Sequence, residues 1–439
     1  MAYIEKYRKY LESVPEVIDR CRAAGSRPVL AYTSNLDAIV KWDVESFNRL
    51  LADWLEEEPY CGEEESVNDM HDFARIVGYY AVNGLGGEVE ITSGEVIDKL
   101  KGYFNIYYGL GGTCAQGAAA LAALGMPVMI HITDQSREVI EWMQEKEIES
   151  VKDGRRVPLK DCVTDGPPLI HLIIQYNKGD VIRAGDREYE VPVSNRLIMG
   201  YDKVHKIMPV RQDFLDYLEG HAQMMCSYDI SGFNAIVEPD ILAERMEQLA
   251  KHYSILKSRN PHLKIYFESA HFISARSRDM LYSKLAGHMD IMGMNEEELV
   301  DLTKKKAHPV DKDDIASVIS GLDYMLELYP VKGIVMHSKD YALYYGEEME
   351  GVDVEMGLTI GSLMSGTRAR IGRYGTIKDC RESLELPLSP TGIVFAEALG
   401  RMKPRHTAVL VPSRYMEKPR YTIGLGDTFV AGMQMCFVR

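Results

Sequence analysis

The stretch Tyr421-Thr422-Ile423-Gly424-Leu425-Gly426-Asp427-Thr428-Phe429 combines residue types that do chemistry only in company. Two glycines around one leucine free the backbone to turn several N–H groups toward one point. The apolar-rich run that follows can form a helix, whose unpaired N–H groups and positive dipole end would face the same point. Such a place holds anions, phosphate foremost. A carboxylate beside it, Asp427, is electrostatically unfavourable unless it has a task. Taking the proton from a hydroxyl that attacks phosphorus is such a task. The plain structural alternative is an N-cap after a glycine turn, a role Asp fills well.

Other polar groups recur where buried strands end. They are Asn35 and Asp37, Ser231 and Asn234, Glu268, Asn295 with Glu298, and His337 with Ser338. In open α/β sheets, ligands bind off the C-terminal ends of the strands. Asn35 can donate and accept and Asp37 accepts, which suits the hydroxyls of a polyol; an Asx-turn with a helix cap fits the same residues. Gly112 and Thr113 open a helix of small residues and can present N–H groups at its start. Asn295-Glu296-Glu297-Glu298 has the layout of a capping box, and equally that of a carboxylate holding magnesium through water. Glu268 ends an otherwise apolar strand, needs a partner there, and could share that ion. Lys178, Arg183 and Arg196 cluster in one segment, and arginine grips phosphate with a bidentate fork.

Strand-like and helical runs alternate along most of the chain, as in a parallel sheet covered on both faces. Two strand-bearing excursions, 34–111 and 166–204, interrupt a core formed by 1–33, 112–165 and 205–439. The expected architecture is therefore an α/β parallel-sheet core with a smaller strand-rich lid inserted at one sheet edge, able to exclude water during transfer. Within the second excursion, Leu169 to Tyr176, a turn at 177–180 and a returning run predict a hairpin.

The 439 residues carry 50 Lys and Arg against 66 Asp and Glu, a net charge of −16. That field argues against nucleic acid and against anionic membrane surfaces, so an anionic substrate must be held by a few placed groups. Seven scattered cysteines without a C-x-x-C pair fit reduced thiols in a cytoplasmic protein and give no zinc signature. The N-terminus lacks the apolar core of a signal peptide, and no run of about eighteen apolar residues offers a membrane span. A dinucleotide-dependent oxidoreductase is disfavoured, because the Ala31-to-Asp37 turn lacks G-x-G-x-x-G and the glycine motif comes last.

Taken together, Thr422–Thr428 after Val411-Pro412-Ser413, Gly293–Leu299, Ala31–Ile39 and Gly111-Gly112-Thr113 resemble the ADP-dependent glucokinase and phosphofructokinase family, within the ribokinase-like superfamily. The resemblance spans nearly the whole chain in order, including Val335-Met336-His337-Ser338 and Ser194–Ile198. It implies a ribokinase-like core with a lid, moving the β-phosphoryl of Mg-ADP to a sugar hydroxyl and releasing AMP. Asp427 would be the base, and Gly424, Leu425 and Gly426 the anion hole. Asn35, Asp37, Glu88, Gly112 and Thr113 would face the sugar, with Lys178 and Arg196 reaching over it. His337, Ser338, Val411 and Ile423 would line the nucleotide; Glu268, Glu298 and Asn295 would organise Mg2+. Two departures stand out: the family's His-x-Glu is Tyr266-Phe267-Glu268 here, and its Pro-Arg-x-Asn-Arg is Pro192-Val193-Ser194-Asn195-Arg196. In that family an acidic residue near 88 goes with glucose and basic lid residues with sugar phosphates. The acceptor thus stays open between glucose and fructose 6-phosphate, and the cluster of Lys178, Arg183 and Arg196 favours a phosphorylated hexose. A noncatalytic sugar or nucleotide sensor and an ATP-dependent kinase are the alternatives on this fold. A monomer or small homo-oligomer is expected.

Overall fold

Apolar runs such as Pro28–Ala31, Ile265–Phe267, Ile291–Met294 and Ile334–Met336 are buried on both faces, as strands between two helical layers must be. The computed structural model describes residues 2–439 except 63–64, 144–145 and 273. Ten strands form one sheet. From one edge it runs Thr407–Pro412, Tyr341–Gly346, Gly333–His337, Ile291–Asn295 and Lys264–Glu268. It continues through Met225–Ile230, Arg27–Ala31, Val128–Ile130, Ile148–Lys152 and Arg155–Pro158. Neighbours from Gly333–His337 to Ile148–Lys152 are parallel, and the strands added at both edges are antiparallel. The expected wholly parallel core is therefore mixed at its margins. Tyr341–Gly346 and the two strands after Ile148 were not visible in the periodicity. Tyr341-Ala342-Leu343-Tyr344-Tyr345 has no polar–apolar alternation because both of its faces are covered.

Side chains alternate across this sheet with period two. Leu30, Tyr266, Ile291, Val335 and Tyr344 pack under the helices Thr113–Ala123, Val354–Ile371 and Leu425–Met433. Val29, Tyr228, Phe267, Met292 and Ile334 pack on the other side, under Pro239–Arg259, Ala275–Leu285 and Ile315–Leu328. Small residues set the first layer's depth. A Cβ at Gly361 would stand 2.7 Å from the Phe429 carbonyl, so Val354–Ile371 can lie close along Leu425–Met433.

A second, smaller sheet has the order Gly87–Glu90, Asn195–Tyr201, Ile170–Tyr176, Asn35–Val40, Ile106–Gly111. Here the alternation is amphipathic. Leu172, Ile174, Leu197, Met199 and Val89 pack with Phe47, Leu50, Phe73 and Ile76 of the helices Val44–Trp54 and Met70–Val82. Their neighbours in sequence, His171, Ile173, Arg196, Ile198 and Glu88, face a cavity instead. Asn35 and Asp37, expected in a turn, are the first and third residues of a strand of this sheet. The predicted hairpin also takes another form. Val181–Ala184 pairs with Arg187–Glu190 in a separate two-stranded ribbon, and Asn195–Tyr201 returns against Ile170–Tyr176. Gly185, at φ 57°, permits the tight reversal that diverts the chain.

Where the chain passes between the sheets it is tied to one loop after Val128–Ile130. Ser34 N–H donates to Thr133 Oγ1 at 3.2 Å, Asp134 N–H to Ser34 Oγ at 2.9 Å, and Leu169 N–H to Asp134 Oδ2 at 2.7 Å. His205 Nε2 meets Thr133 Oγ1 at 2.6 Å. Among the described residues no helix is long and apolar enough to cross a membrane.

Candidate active site

The glycine turn forms as the sequence requires. Gly424, at φ 66°, sits before the helix Leu425–Met433, and a Cβ there would run into the Gln116 side chain. Asp427 is the third residue of that helix and does not cap it; Gly424 holds the capping position without a side chain. One Asp427 oxygen accepts from Gln116 Nε2 at 2.8 Å. Gln116 Oε1 in turn accepts from Arg368 Nη2 at 2.9 Å and from Tyr374 OH at 3.3 Å. Arg368 Nε donates to the Ile423 carbonyl at 3.1 Å. Its guanidinium lies 4.0 Å from the Tyr374 ring centre and 5.0 Å from that of Tyr421. Burial pushes the Asp427 carboxyl above its ordinary range, and the Thr113 hydroxyl and Arg368 pull it back.

Beside this turn the strand ends bring carboxylates together. Glu268 Oε1 meets His337 Nε2 at 2.8 Å, and Glu268 Oε2 accepts from Tyr266 OH at 3.1 Å. Tyr266, standing where the family motif has histidine, thus holds the carboxylate from its own strand while His337 holds it from another. Gly293 makes room for both, since a Cβ there would collide with Glu268 Oε2 and Tyr266 OH. The His337 ring also packs 4.9 Å from that of Phe429, and Gly426 lies next to it.

Asn295 and Glu298 form the capping box: Glu298 N–H donates to Asn295 Oδ1 at 2.9 Å, and Asn295 N–H to Glu298 Oε2 at 3.0 Å. Burial, then the like charges of Glu268 and Glu296, push the Glu298 carboxyl up to about 7. Crowded oxygen donors of this kind fit a hard divalent cation. With both Glu268 oxygens and Glu298 Oε2 already bonded, contact through water suits them best. Asp229, 1% exposed, lies near Glu268 and Asp427 with neither oxygen hydrogen-bonded among the described residues, and burial raises its carboxyl well above the ordinary range.

A cavity of about 250 Å³ opens between the two sheets, with Asp427, Gly424 and Ile423 on one side. The small sheet contributes Asn35, Asp37, Glu88, His171 and Arg196, and Gly112 and Thr113 complete the rim. Gly112, at φ 86°, abuts the Thr33 carbonyl where a Cβ could not fit. Asn35 Nδ2 donates to Asp37 Oδ1 at 2.7 Å, and burial raises Asp37 to about 6. Glu88 is raised by burial too. Asp202 Oδ2 joins His171 Nε2 at 3.1 Å and His205 Nδ1 at 2.5 Å. Burial opposes charge on His171, but Asp202, Asp37 and Glu88 outweigh it and raise the imidazole. Although these three are metal-ligand types, 2.5 Å is a hydrogen bond, shorter than the roughly 3.3 Å between ligands of a tetrahedral zinc.

The geometry separates the remaining expected residues. Lys178 does not reach the cavity: it lies in the turn beyond Tyr176, several residues past Ile173, and its N–H donates to Ser194 Oγ. Arg183 is engaged on the outer ribbon by Glu45 and Glu188. Ser338 Oγ accepts from the N–H groups of Asp340 and Tyr341 in a local turn. Val411 is buried in the core, so only its backbone can face a ligand. Gln116, Arg368, His171 and His205 were not foreseen. Only Gln116 had a signal, a lone polar side chain in an alanine-rich helix.

A family model described as the ADP-specific Phosphofructokinase/Glucokinase conserved region matches residues 26–435. An ADP-dependent glucose/glucosamine kinase of Pyrococcus abyssi is 24% identical over 459 residues, covering 98% of this chain and 97% of that one. An ADP-specific phosphofructokinase of Pyrococcus furiosus is 23% identical, covering 96% and 98%. The crystal structure of a phosphofructokinase from Pyrococcus horikoshii with AMP superposes with a TM-score of 0.76 at 20% identity, covering 94% and 98%. So does an ADP-dependent kinase in complex with fructose-6-phosphate and ADPβS, at 0.76 and 19%, covering 98% of each chain. The fold is that of these solved structures, and the chain belongs to the ADP-specific phosphofructokinase/glucokinase family of ADP-dependent sugar kinases.

Proposed function

We propose that this ADP-dependent sugar kinase takes an unphosphorylated hexose, glucose or a close analogue, as its acceptor. The observation that carries this reading is the charge of the cavity. Asp37, Glu88 and Asp427 line it, against Arg196, the one Lys or Arg among its described lining residues, and the imidazole of His171, which is itself paired with Asp202. A sugar phosphate would set its dianion against those carboxylates, whereas neutral hydroxyls can donate to them. The expectation of a phosphorylated hexose rested on Lys178, Arg183 and Arg196 together, and of these only Arg196 is among the described lining residues of the cavity. The Pyrococcus abyssi glucose/glucosamine kinase accords with a neutral acceptor, although phosphofructokinases are nearly as similar.

In this reading residues 34–111 and 166–204 are the lid, and 1–33, 112–165 and 205–439 the core. Asn35, Asp37, Glu88, Gly112 and His171 orient the hexose so that one hydroxyl faces Asp427. That oxygen attacks the β-phosphorus of ADP, its proton passes to Asp427, and the bond to the bridging oxygen breaks to release AMP. N–H groups at Gly424, Leu425 and Gly426 face the charge that develops on the phosphoryl oxygens, and Arg196 reaches it from the lid. The nucleotide runs along the ends of Gly333–His337 and Thr407–Pro412, past Ser338, Val411 and Ile423. Glu298 and Glu268 would hold Mg2+, whose charge would offset that of the phosphates. The seven free cysteines suit a cytoplasmic setting.

AMP formation from ADP with glucose, glucosamine and fructose 6-phosphate, each with ATP as the control donor, tests the reading. Glucose or glucosamine should exceed fructose 6-phosphate in kcat/KM by about 100-fold. A preference for fructose 6-phosphate overturns it, and tight sugar binding without AMP from any acceptor returns the sensor.

A further inference from the structure

Arg368 is an anomaly. It is 4% exposed and carries a permanent charge, and among the described residues its hydrogen bonds go to neutral acceptors, with no carboxylate within salt-bridge distance. A buried cation without a counter-ion is costly, and the sites that tolerate one use its field. Its contacts all lead to the reaction centre. Nε holds the carbonyl of Ile423, the residue before the glycine turn. Nη2 holds Gln116 Oε1, which leaves Gln116 Nε2 to donate to Asp427. The amide of Gln116 could present either end to Asp427, and oxygen would repel it. Arg368 and Tyr374, both donating to Oε1, remove that choice. Tyr421 and Tyr374 flank the guanidinium, so the same side chain ties Val354–Ile371 to the segment leading into the turn.

We propose that Arg368 is a positioning residue for phosphoryl transfer: through Gln116 it fixes the carboxylate of Asp427, and through Ile423 the anion-binding turn. The inference rests on Asp427 being the base. Other groups also bear on that carboxylate: Thr113 and Cys114 from the small-residue helix, Asp229, Glu268 and His337 from strand ends, Asp37 from the small sheet, and Tyr374. Among the causes that hold Asp427 down, Arg368 is the one with a permanent charge, so its loss has a direction.

The test is Arg368→Met and Arg368→Ala, with Gln116→Met as a variant that breaks the relay but keeps the cation. Arg368→Met should lower kcat about 100-fold and leave KM for ADP and hexose within about threefold. The acid limb of its pH–kcat profile should move up by about one pH unit, because the cation no longer favours the ionised carboxylate. Millimolar guanidinium should restore Arg368→Ala at least in part. Gln116→Met should lower kcat without moving the limb upward as far. A kcat close to wild type, or a loss of kcat with an unmoved limb and no rescue, overturns the proposal. If Arg368→Met does not fold, Gln116→Met with wild-type kcat overturns it alone. Asp427→Asn keeps the two readings apart: near-normal turnover there sinks the base assignment, whereas a dead Asp427→Asn beside normal Arg368 variants sinks only the relay.

Discussion

Asp229 shows at the residue scale what the proposed reaction centre costs the fold. Its carboxyl group is buried on Met225–Ile230 with no hydrogen-bond partner among the described residues, close to Glu268 and Asp427. Because burial raises its proton affinity in the folded state, the unfolded chain ionises first as pH rises. Stability is then lost from about pH 4 upward, and the loss stops only above the folded value. Asp229→Asn removes that loss. Its melting temperature should exceed that of wild type at pH 7.5, and by more than at pH 5. An equal gain at both values would contradict an unpaired acid. Asp427 was legible because its neighbours in sequence are its neighbours in space. Gln116 and Arg368 were not: the bond between them joins residues 252 positions apart, and no local pattern marks an arginine inside a helix as a site residue. Lys178 misled for the opposite reason, since closeness in sequence to Arg196 says nothing about which of them the strand directions bring to the cavity.

At the scale of elements, one helix start has a role in the fold and, in the proposed reading, a second one toward the metal. The reciprocal bonds of Asn295 and Glu298 begin the helix Glu296–Lys305, and the same Glu298 carboxyl lies among Glu268 and Glu296. The sequence offered these as rivals, and the structure lets both stand. Glu298→Gln keeps the cap and removes the charge. It should leave the melting temperature within about 1 °C, as the retained cap implies. The magnesium concentration for half-maximal rate should rise about tenfold. A lower melting temperature with an unchanged magnesium requirement would leave the cap as the sole role. Most of the core strands were readable from apolar runs ending in polar residues, because parallel strands buried on both faces have no other pattern, but their order in the sheet was not. The outer ribbon Val181–Glu190 was not, because its glycine turn looks like any hairpin turn and only pairing reveals which strand answers which.

Over the whole molecule, the two sheets supply opposite halves of one cavity, so the proposed lid must come down on bound nucleotide for Arg196 to act. Arg196→Ala should therefore lower kcat/KM about 100-fold with glucose, glucosamine and any other accepted sugar alike. A loss confined to a phosphorylated acceptor would show instead that Arg196 reads the sugar. The small sheet also has an awkward relation to the ribosome. Its central strand, Ile170–Tyr176, lies between Asn35–Val40 and Asn195–Tyr201, and Gly87–Glu90 pairs only with the latter among the strands. During synthesis the helices Val44–Trp54 and Met70–Val82 emerge with half a sheet to cover, and it waits for about 90 more residues, several seconds at ordinary elongation rates. Throughout that interval Asn35–Val40 is an open edge over an apolar face, a template for pairing with another nascent chain. Yield in recombinant hosts should then depend on translation speed between codons 112 and 201 more than on the stability of the finished enzyme.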